Sequence, residues 1–218
     1  MLILAFLLGF VINALGYIPP GNINLSVAQL AINKGTRQAY YFILAFSIVE
    51  VFFTIGMMRF ARWMSSDVNL DVKVNGISLN NLVDFLMLAI FLIIGTITWI
   101  NRNKIPNPKS QASQSKKGSV LYGIVLGVIN PVQIPFWLFF GNYVILKDWI
   151  HTDYISLIIF SVGSGAGSAL ALYGYSYFAR FIQEKFALSH VIMNKSIAIF
   201  LYSLAGILIV KNIFIFCL

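Results

Sequence analysis

Apolar runs dominate the chain, and six of them are long enough to cross a bilayer. A helix needs about 20 apolar residues to span the roughly 30 Å hydrocarbon core. The six segments are Leu2–Ile18, Ala39–Met58, Leu82–Ile100, Val120–Leu146, Ile155–Tyr177 and Ile192–Phe216. Because a helix satisfies its own backbone polar groups in lipid, the pattern predicts an all-α, polytopic membrane protein with six transmembrane helices.

The first predicted span is interrupted by Pro19, Pro20 and Gly21, and the polar residues Asn22 and Asn24 follow. Proline lacks a backbone N–H, so one helix should end there and a second begin, with Gly21 or Asn22 as its N-cap. The unpaired N–H groups of that new N-terminus suit an anion such as a carboxylate. A kinked helix whose asparagines cap a short interfacial helix is the structural alternative.

The fourth predicted span is also broken, at Asn130-Pro131, and carries Gln133. Asn130 and Gln133 are three residues apart, so on one helix they would share a face. They are candidates to bind a substrate together with the first break. Alternatively, the two amides bond to a neighbouring helix and serve packing alone.

The basic, Pro- and Ser-containing stretch 101–118 predicts a flexible cytoplasmic linker between repeats 1–100 and 119–218. Three spans on each side mean that equivalent halves cross the bilayer in opposite senses. Span 2 ends "IGMMRFARW" and span 5 ends "YGYSYFARF", which supports such a repeat. Broken helices at corresponding places in two inverted halves indicate a transporter's binding site.

Glu50 lies near the middle of span 2 with apolar residues on both sides. A charge at this depth costs about 2.5–3.5 kcal/mol on insertion scales. We therefore expect Glu50 to face the bundle interior and to be protonated or paired, as a proton carrier or a partner for a substrate ammonium. A protonated glutamic acid that joins two helices is the structural alternative. The glycines and serines of span 5 predict close helix packing.

The basic residues of the chain indicate its orientation in the membrane and do not indicate nucleic-acid binding. The sequence is 59% hydrophobic and 10% charged, so it holds no soluble basic domain to explain the net charge of +8, and the partner it implies is the lipid bilayer. Placing the N-terminus outside puts ten basic residues inside and five outside, which favours N-out/C-out. The inside residues are Lys34, Arg37, Arg102, Lys104, Lys109, Lys116, Lys117, Arg180, Lys185 and Lys195. The outside residues are Arg59, Arg62, Lys73, Lys147 and Lys211.

The chemistry of an enzyme or a metal centre is not indicated. Cys217 is the single cysteine, and His151 and His190 fall in separate predicted loops. The spans hold no nucleophile–base pair or metal set. We expect no catalytic residue, no metal site and no cofactor.

The chain resembles the LysE/RhtB amino-acid exporters. The similarity lies in "PPGNINLSVAQLAINKG" (Pro19–Gly35), the basic turn Lys34–Arg37, the acid Glu50 and "GVINPVQIPFWLFF" (Gly127–Phe140). Glu50 replaces the more usual aspartate, and Pro-Pro-Gly-Asn replaces the commoner Pro-Gly-Pro. The resemblance implies a bacterial cytoplasmic-membrane protein that exports amino acids or related small metabolites by proton antiport.

The hypothesis therefore places the substrate between the two breaks, with Glu50 binding a proton or the substrate's amino group in alternation. The proposed substrate-binding residues are Pro20, Gly21, Asn22, Asn24, Asn130, Pro131 and Gln133. Two alternatives stay open: export of another solute such as a metal ion, and a non-transporting membrane assembly or scaffold subunit. The sequence leaves a homo-oligomer open as well.

Overall fold

Helices occupy all six apolar runs. The computed structural model describes residues 2–19, 21–65, 73–74, 77–103, 116–130, 132–179, 181, 195, 197–199 and 201–210. Its helices are α1 (Leu2–Gly16), α2 (Asn22–Lys34), α3 (Thr36–Ser65), α4 (Leu79–Ile100), α5 (Lys116–Val128), α6 (Gln133–Leu146), α7 (Tyr154–Tyr177) and α8 (Ile197–Val210). A 3₁₀ turn, Asn101–Asn103, extends α4. Most of the predicted linker, residues 104–115, lies outside the described residues.

The all-α prediction is confirmed across the described residues except for one short ladder in the loop between α3 and α4. There β1 (Lys73–Val74) pairs antiparallel with β2 (Ile77–Ser78). Helix α3 continues past its predicted end at Met58 and ends at Ser65. The polar and basic residues near that end did not stop the helix, because no proline or glycine follows Gly56 within it.

Two helices are long and apolar enough by themselves to cross a membrane, Thr36–Trp63 within α3 and α7. Helices α5 and α6 pass the same test as a pair that is bent by 60° at a short break. The remaining apolar helices are shorter: α1, Leu88–Asn103 and α8. Length and composition in the described parts thus give two spans, or three with the bent pair, and the six-span topology stays a prediction.

The outward surface of the central helix α3 is apolar. Leu44, Ile48 and Phe52 follow one another at four-residue intervals and are 42%, 57% and 69% exposed. The opposite face of the same helix buries Ser47 and Glu50. Apolar side chains outside and polar side chains inside suit a helix surrounded by lipid.

Helices α3 and α7 form the centre of the molecule. They pack against each other, α1 packs against α7, and α5 packs against α3. Helix α6 also contacts α3, and α2 contacts both central helices. The two halves of the chain are therefore interleaved, with the first helix of each half against the long helix of the other.

Glycines set the distance between α1 and α7. A methyl group at Gly9 would overlap the backbone oxygen of Phe160, and methyl groups at Gly163 and Gly167 would overlap backbone oxygens of α1. On the other side, a Cβ at Gly123 of α5 would lie 2.5 Å from the Phe42 oxygen. Direct backbone contact confirms that the small residues of α7 serve close packing.

Two separate apolar cores lie at opposite ends of α3 and α7. The α2 core joins α2, the start of α3 and the end of α7; it contains Ile23, Val27, Ala28, Leu30, Ala31, Ala39, Phe42, Ile43, Phe46, Tyr122, Leu172 and Ala179. The α6 core joins α6, the end of α3 and the start of α7; it contains Ala5, Met58, Ala61, Trp137, Val144, Ile145, Ile150, Leu157 and Phe160. Buried polar side chains lie between the two cores.

Candidate functional site

The buried polar cluster is centred on the Glu50 carboxylate, whose side chain is 0% exposed. Its Oε1 accepts hydrogen bonds from Asn13 Nδ2 at 3.1 Å and from Trp137 Nε1 at 3.3 Å. Its Oε2 accepts from the Tyr17 hydroxyl at 3.1 Å and from Gln133 Nε2. Four donors from two other elements thus converge on one carboxylate and use the roughly four acceptor positions that it has.

Local helical geometry positions these donors in pairs. Asn13 and Tyr17 are four residues apart, and so are Gln133 and Trp137, which places each pair on one helix face. Although α1 ends at Gly16, the Tyr17 N–H still bonds to the Asn13 carbonyl at 3.1 Å and continues the turn. The Trp137 ring packs edge-on against Phe160, with ring centroids 5.6 Å apart. Packing and helix periodicity therefore aim all four groups at Glu50.

A second set of hydrogen bonds links the cluster to α7. Asn13 Nδ2 lies 2.9 Å from both the backbone oxygen and Oγ of Ser164. Ser164 Oγ in turn lies 3.0 Å from Thr54 Oγ1, one turn along α3 from Glu50. Asn13 thereby connects the carboxylate on α3 to the backbone of α7.

The break between α5 and α6 adjoins the cluster through Tyr17. The Nδ2 of Asn130 and the Nε2 of Gln133 each lie 3.5 Å from the Tyr17 hydroxyl. Asn130 precedes α6 instead of sharing a helix with Gln133, since α6 begins only at Gln133. Its Oδ1 accepts from the Val132 N–H at 3.3 Å. The predicted pair of amides does meet, around a tyrosine and not along one helix face.

The break between α1 and α2 is closed by Asn24. Gly21 is the N-cap of α2 in extended conformation, as predicted. Asn24 Nδ2 donates to the backbone oxygens of Tyr17 at 2.7 Å and Pro19 at 3.0 Å, so this amide satisfies carbonyls that the break leaves free. The Asn22 side chain is exposed. Two further predicted site residues, Pro20 and Pro131, lie outside the described residues.

The structure therefore brings Glu50, Gln133 and Asn130 together. Asn24 is linked to this cluster through its hydrogen bond to the Tyr17 backbone oxygen. Sequence reasoning did not assign five members of the cluster to the site: Asn13, Tyr17, Thr54, Trp137 and Ser164. A detectable signal existed, because polar-capable side chains recur at four-residue spacing in three apolar helices. Tyr17 and Trp137 were hidden within apolar runs, where their rings count as hydrophobic.

Among the described residues, no cation is bonded to the Glu50 carboxylate. Helices α1, α6 and α7 contain no charged residue, and the four donors to Glu50 are two amides, a phenol and an indole. Gln133 is 3% exposed, and its Oε1 is buried without a hydrogen-bond partner in the described structure. The site can stabilise a negative charge, and it offers one further acceptor.

The described part of the chain contains no group of three or more His, Cys, Asp or Glu residues that could hold a metal ion. Glu50 stands alone among amides, hydroxyls and aromatic rings. This composition suits organic groups that form hydrogen bonds better than it suits a divalent cation.

Apolar helices with lipid-facing outer surfaces around a buried polar cluster define an integral membrane protein. The sequence model described as LysE type translocator matches residues 14–212. The chain belongs to this family of translocators, which indicates transport of small solutes across a membrane. No curated protein and no solved structure matches the chain.

Proposed function

We propose that the protein is a secondary active exporter of amino acids or related small metabolites, driven by antiport with protons. The observation that carries the proposal is Glu50, a fully buried carboxylate in the middle of the longest helix of a translocator-family protein. An acid at membrane depth marks an ion or substrate pathway more often than it serves packing.

Helix packing supports two inverted repeats. Exchanging the halves of the chain turns the α1–α7 contact into the α5–α3 contact, and both contacts occur. Gly56 and Gly174 lie 118 positions apart, and Gly9 and Gly127 have the same offset. Gly9 meets α7 and Gly127 meets α3, where its Cβ would lie 2.9 Å from Val49 Cγ1. Equivalent glycines at equivalent crossings favour a six-span bundle of two three-helix repeats.

The cluster's place between two apolar cores supports alternating access. The α2 core closes one end of the pair α3–α7, and the α6 core closes the other. Opening one core while the other stays packed would expose Glu50 to one side of the membrane at a time. The hydrogen-bonded cluster then represents the closed form, in which neighbouring side chains occupy the carboxylate.

Substrate recognition would divide between the ends of an amino acid. Glu50 would take the ammonium group, with Gln133 and Asn130 beside it; Pro131 stays a predicted member of the site. The N-terminus of α2, at Gly21, Asn22 and Asn24, would take the carboxylate, because its first N–H groups have no side-chain cap; Pro20 stays a predicted member of the site. A proton and an ammonium group would then compete for one carboxylate, which produces antiport.

Contacts at the two ends of α3 agree with the grouping of segments by membrane side. At one end of α3, Arg59 lies over the Tyr154 ring and Arg62 donates to the Thr152 oxygen at 2.5 Å. At the other end, Lys116 lies over the Tyr41 ring. Each contact joins two segments assigned to the same side. The N-out/C-out orientation in a bacterial cytoplasmic membrane rests on the distribution of basic residues and on the family.

The proposal is tested by metabolite release from cells that overproduce the protein. The cells are loaded with dipeptides, and released amino acids are measured by mass spectrometry beside cells producing Glu50→Gln at equal membrane levels. Selective release of a few amino acids that is lost in Glu50→Gln supports the exporter. Equal release by both proteins contradicts the role of Glu50.

A non-transporting assembly subunit is the second candidate, and one observation favours it. All four acceptor positions of Glu50 are filled by neighbouring side chains, which is what a purely structural cluster would show. That candidate predicts no amino-acid release from correctly inserted protein and a complex that falls apart when Glu50 is replaced.

A further inference from the structure

Only the nitrogen of the Gln133 side-chain amide has hydrogen-bond partners in the described structure. Its Nε2 donates to Glu50 Oε2 and lies 3.5 Å from the Tyr17 hydroxyl, whereas its Oε1 is buried and has no partner in the described structure. Buried acceptors are normally paired, so an unpaired one calls for an explanation such as a ligand or a second arrangement. Among the described residues, no other buried side-chain oxygen or nitrogen lacks a hydrogen-bond partner.

The hydrogen bonds around Glu50 fit one charge state. All four neighbours donate, as an ionised carboxylate requires. A protonated Glu50 must instead donate, and Asn13 and Trp137 present only N–H groups to it. The unpaired Gln133 Oε1 becomes available if the amide turns by 180° about its terminal torsion, which exchanges oxygen and nitrogen.

We propose that Gln133 reinforces the mutual exclusion of proton and substrate at Glu50 in the exporter proposed above. When Glu50 is ionised, Gln133 gives its N–H to the carboxylate and offers Oε1 to the ammonium group of a substrate. When Glu50 holds a proton, the turned amide accepts that proton's hydrogen bond and offers Nε2, a donor that cannot bind an ammonium group. The orientation of the Gln133 amide thus couples the protonation state of Glu50 to the binding of the substrate's ammonium group.

The surroundings leave few rivals for this role. Among the described residues, Tyr17 is the one titratable side chain bonded to Glu50, and its hydroxyl oxygen is also an acceptor. Amide N–H groups of Asn130 and Gln133 already approach that oxygen. The charged residues of the helices packed on α3, namely Lys34 of α2 and Lys116 and Lys117 of α5, lie at helix ends, and α6 and α7 carry none.

Infrared difference spectroscopy of the purified, lipid-reconstituted protein tests the proposal without a substrate. Spectra recorded on lowering the pH should show a carboxylic-acid band that is absent in Glu50→Gln. The same spectra should show a shift of a glutamine side-chain carbonyl band, which Gln133→Met removes. In Gln133→Met the acid band should also move to higher wavenumber, whereas Tyr17→Phe should leave the glutamine shift in place.

Transport supplies the second readout. Proteoliposomes loaded with an equimolar mixture of the twenty amino acids should release the substrate faster when the outside is made acidic. Gln133→Met should reduce this acceleration about tenfold, the effect of one hydrogen bond to a charged group. Asn142→Leu is the matched control, because the Asn142 amide lies on the same helix and donates to the Leu138 oxygen of its own turn.

The outcomes separate this inference from the function on which it rests. A Glu50 band without a glutamine shift, together with unchanged acceleration in Gln133→Met, overturns the role of Gln133 and leaves the exporter standing. Absence of both a Glu50 band and any acceleration in the wild-type protein overturns both. A glutamine shift lost in Tyr17→Phe but kept in Gln133→Met assigns the switch to another residue and also overturns the proposal.

Discussion

At the scale of single residues, the cluster depends on side chains that are apolar in bulk and polar at one atom. Trp137 is 0% exposed, packs its ring against Phe160 and uses its indole N–H on Glu50. Asn13 is equally buried and holds Glu50 and Ser164 at once. Each residue therefore contributes both to packing and to the electrostatics of the carboxylate.

We expect Trp137→Phe to destabilise the protein by about 1–3 kcal/mol, because it removes a donor from a buried carboxylate and leaves a smaller ring in the α6 core. Thermal unfolding in detergent measures the loss. Trp149→Phe is the control, since Trp149 is 43% exposed and should change the melting temperature little. Equal melting temperatures for both variants would show that the Trp137 hydrogen bond contributes nothing to stability.

We expect Asn13→Leu to lower export more than it lowers the melting temperature. The change removes a donor from Glu50 and separates the carboxylate from Ser164 of α7, while the leucine fits an apolar helix. Efflux rate and thermal unfolding are compared in the same preparation. An unfolded variant would assign Asn13 to stability, and unchanged efflux would remove it from the site.

How far the site was predictable depends on the residue type. Glu50 and Gln133 stand out in apolar runs, so their burial and their meeting were within reach of sequence reasoning. The role of Asn24 in closing the break was not, because capping and ligand binding use the same amide groups. Tyr17 and Trp137 escaped because hydrophobic patterns record their rings and not their single polar atoms.

At the scale of helices, the α1–α7 contact sets the geometry of the cluster, because Asn13 and Ser164 lie on the two facing surfaces. The contact relies on glycines that let the backbones touch. Gly163 meets the Phe6 oxygen, and Gly167 meets the Phe10 oxygen. Any side chain added here must push α1 away from α7.

Gly163→Ala should therefore destabilise the protein by about 1–3 kcal/mol and reduce export, as overpacking does in cores. Gly174→Ala on the same helix is the matched control, because nothing lies within 4 Å of the added methyl group. Melting temperatures and efflux of the two variants are compared. Equal melting temperatures and efflux rates for Gly163→Ala and Gly174→Ala would contradict the close approach of α1 and α7.

The start of α7 carries a pH-dependent cap. Asp153 accepts from the Ser156 N–H at 3.1 Å, and hydrogen bonds from the Ser156 side chain and backbone lower the pKa of Asp153. Because the pKa of Asp153 is lower in the folded state, the cap stabilises the fold at pH values above the unfolded-state pKa. This stabilisation disappears as the pH falls through the folded-state pKa.

Asp153→Ala should lower the melting temperature at neutral pH and have the melting temperature of the wild type in acid. A deficit that persists in acid would rule out the charged cap; Asp148→Asn serves as a charge control.

At the scale of the whole molecule, the helices were predictable and their crossings of the membrane were only partly so. Apolar runs located α1 and α3–α8, and the prolines at 19–20 and 131 located the two breaks. Helix bounds differed most at α3, where basic residues near a membrane surface extend a helix as readily as they end it. The packing of each half's first helix on the other half could not be predicted, since it depends on contacts between distant segments.

Orientation is tested by cysteine labelling in a Cys217→Ser background. A cysteine at Ser113, in the linker, should react with a membrane-impermeant maleimide only after the cells are opened. A cysteine at Lys147 should react in intact cells. The reverse pattern would give N-in/C-in and assign the α2 core to the outer side.

The central claim is that one carboxylate exchanges a substrate for a proton, and proton movement in proteoliposomes tests it most directly. Vesicles containing a pH-sensitive dye and the amino acids identified by release are diluted into medium without them. The account predicts that substrate efflux drives proton uptake into vesicles with wild-type protein and none with Glu50→Gln. Substrate efflux with no proton movement in the wild type, or equal proton movement in Glu50→Gln, would contradict it.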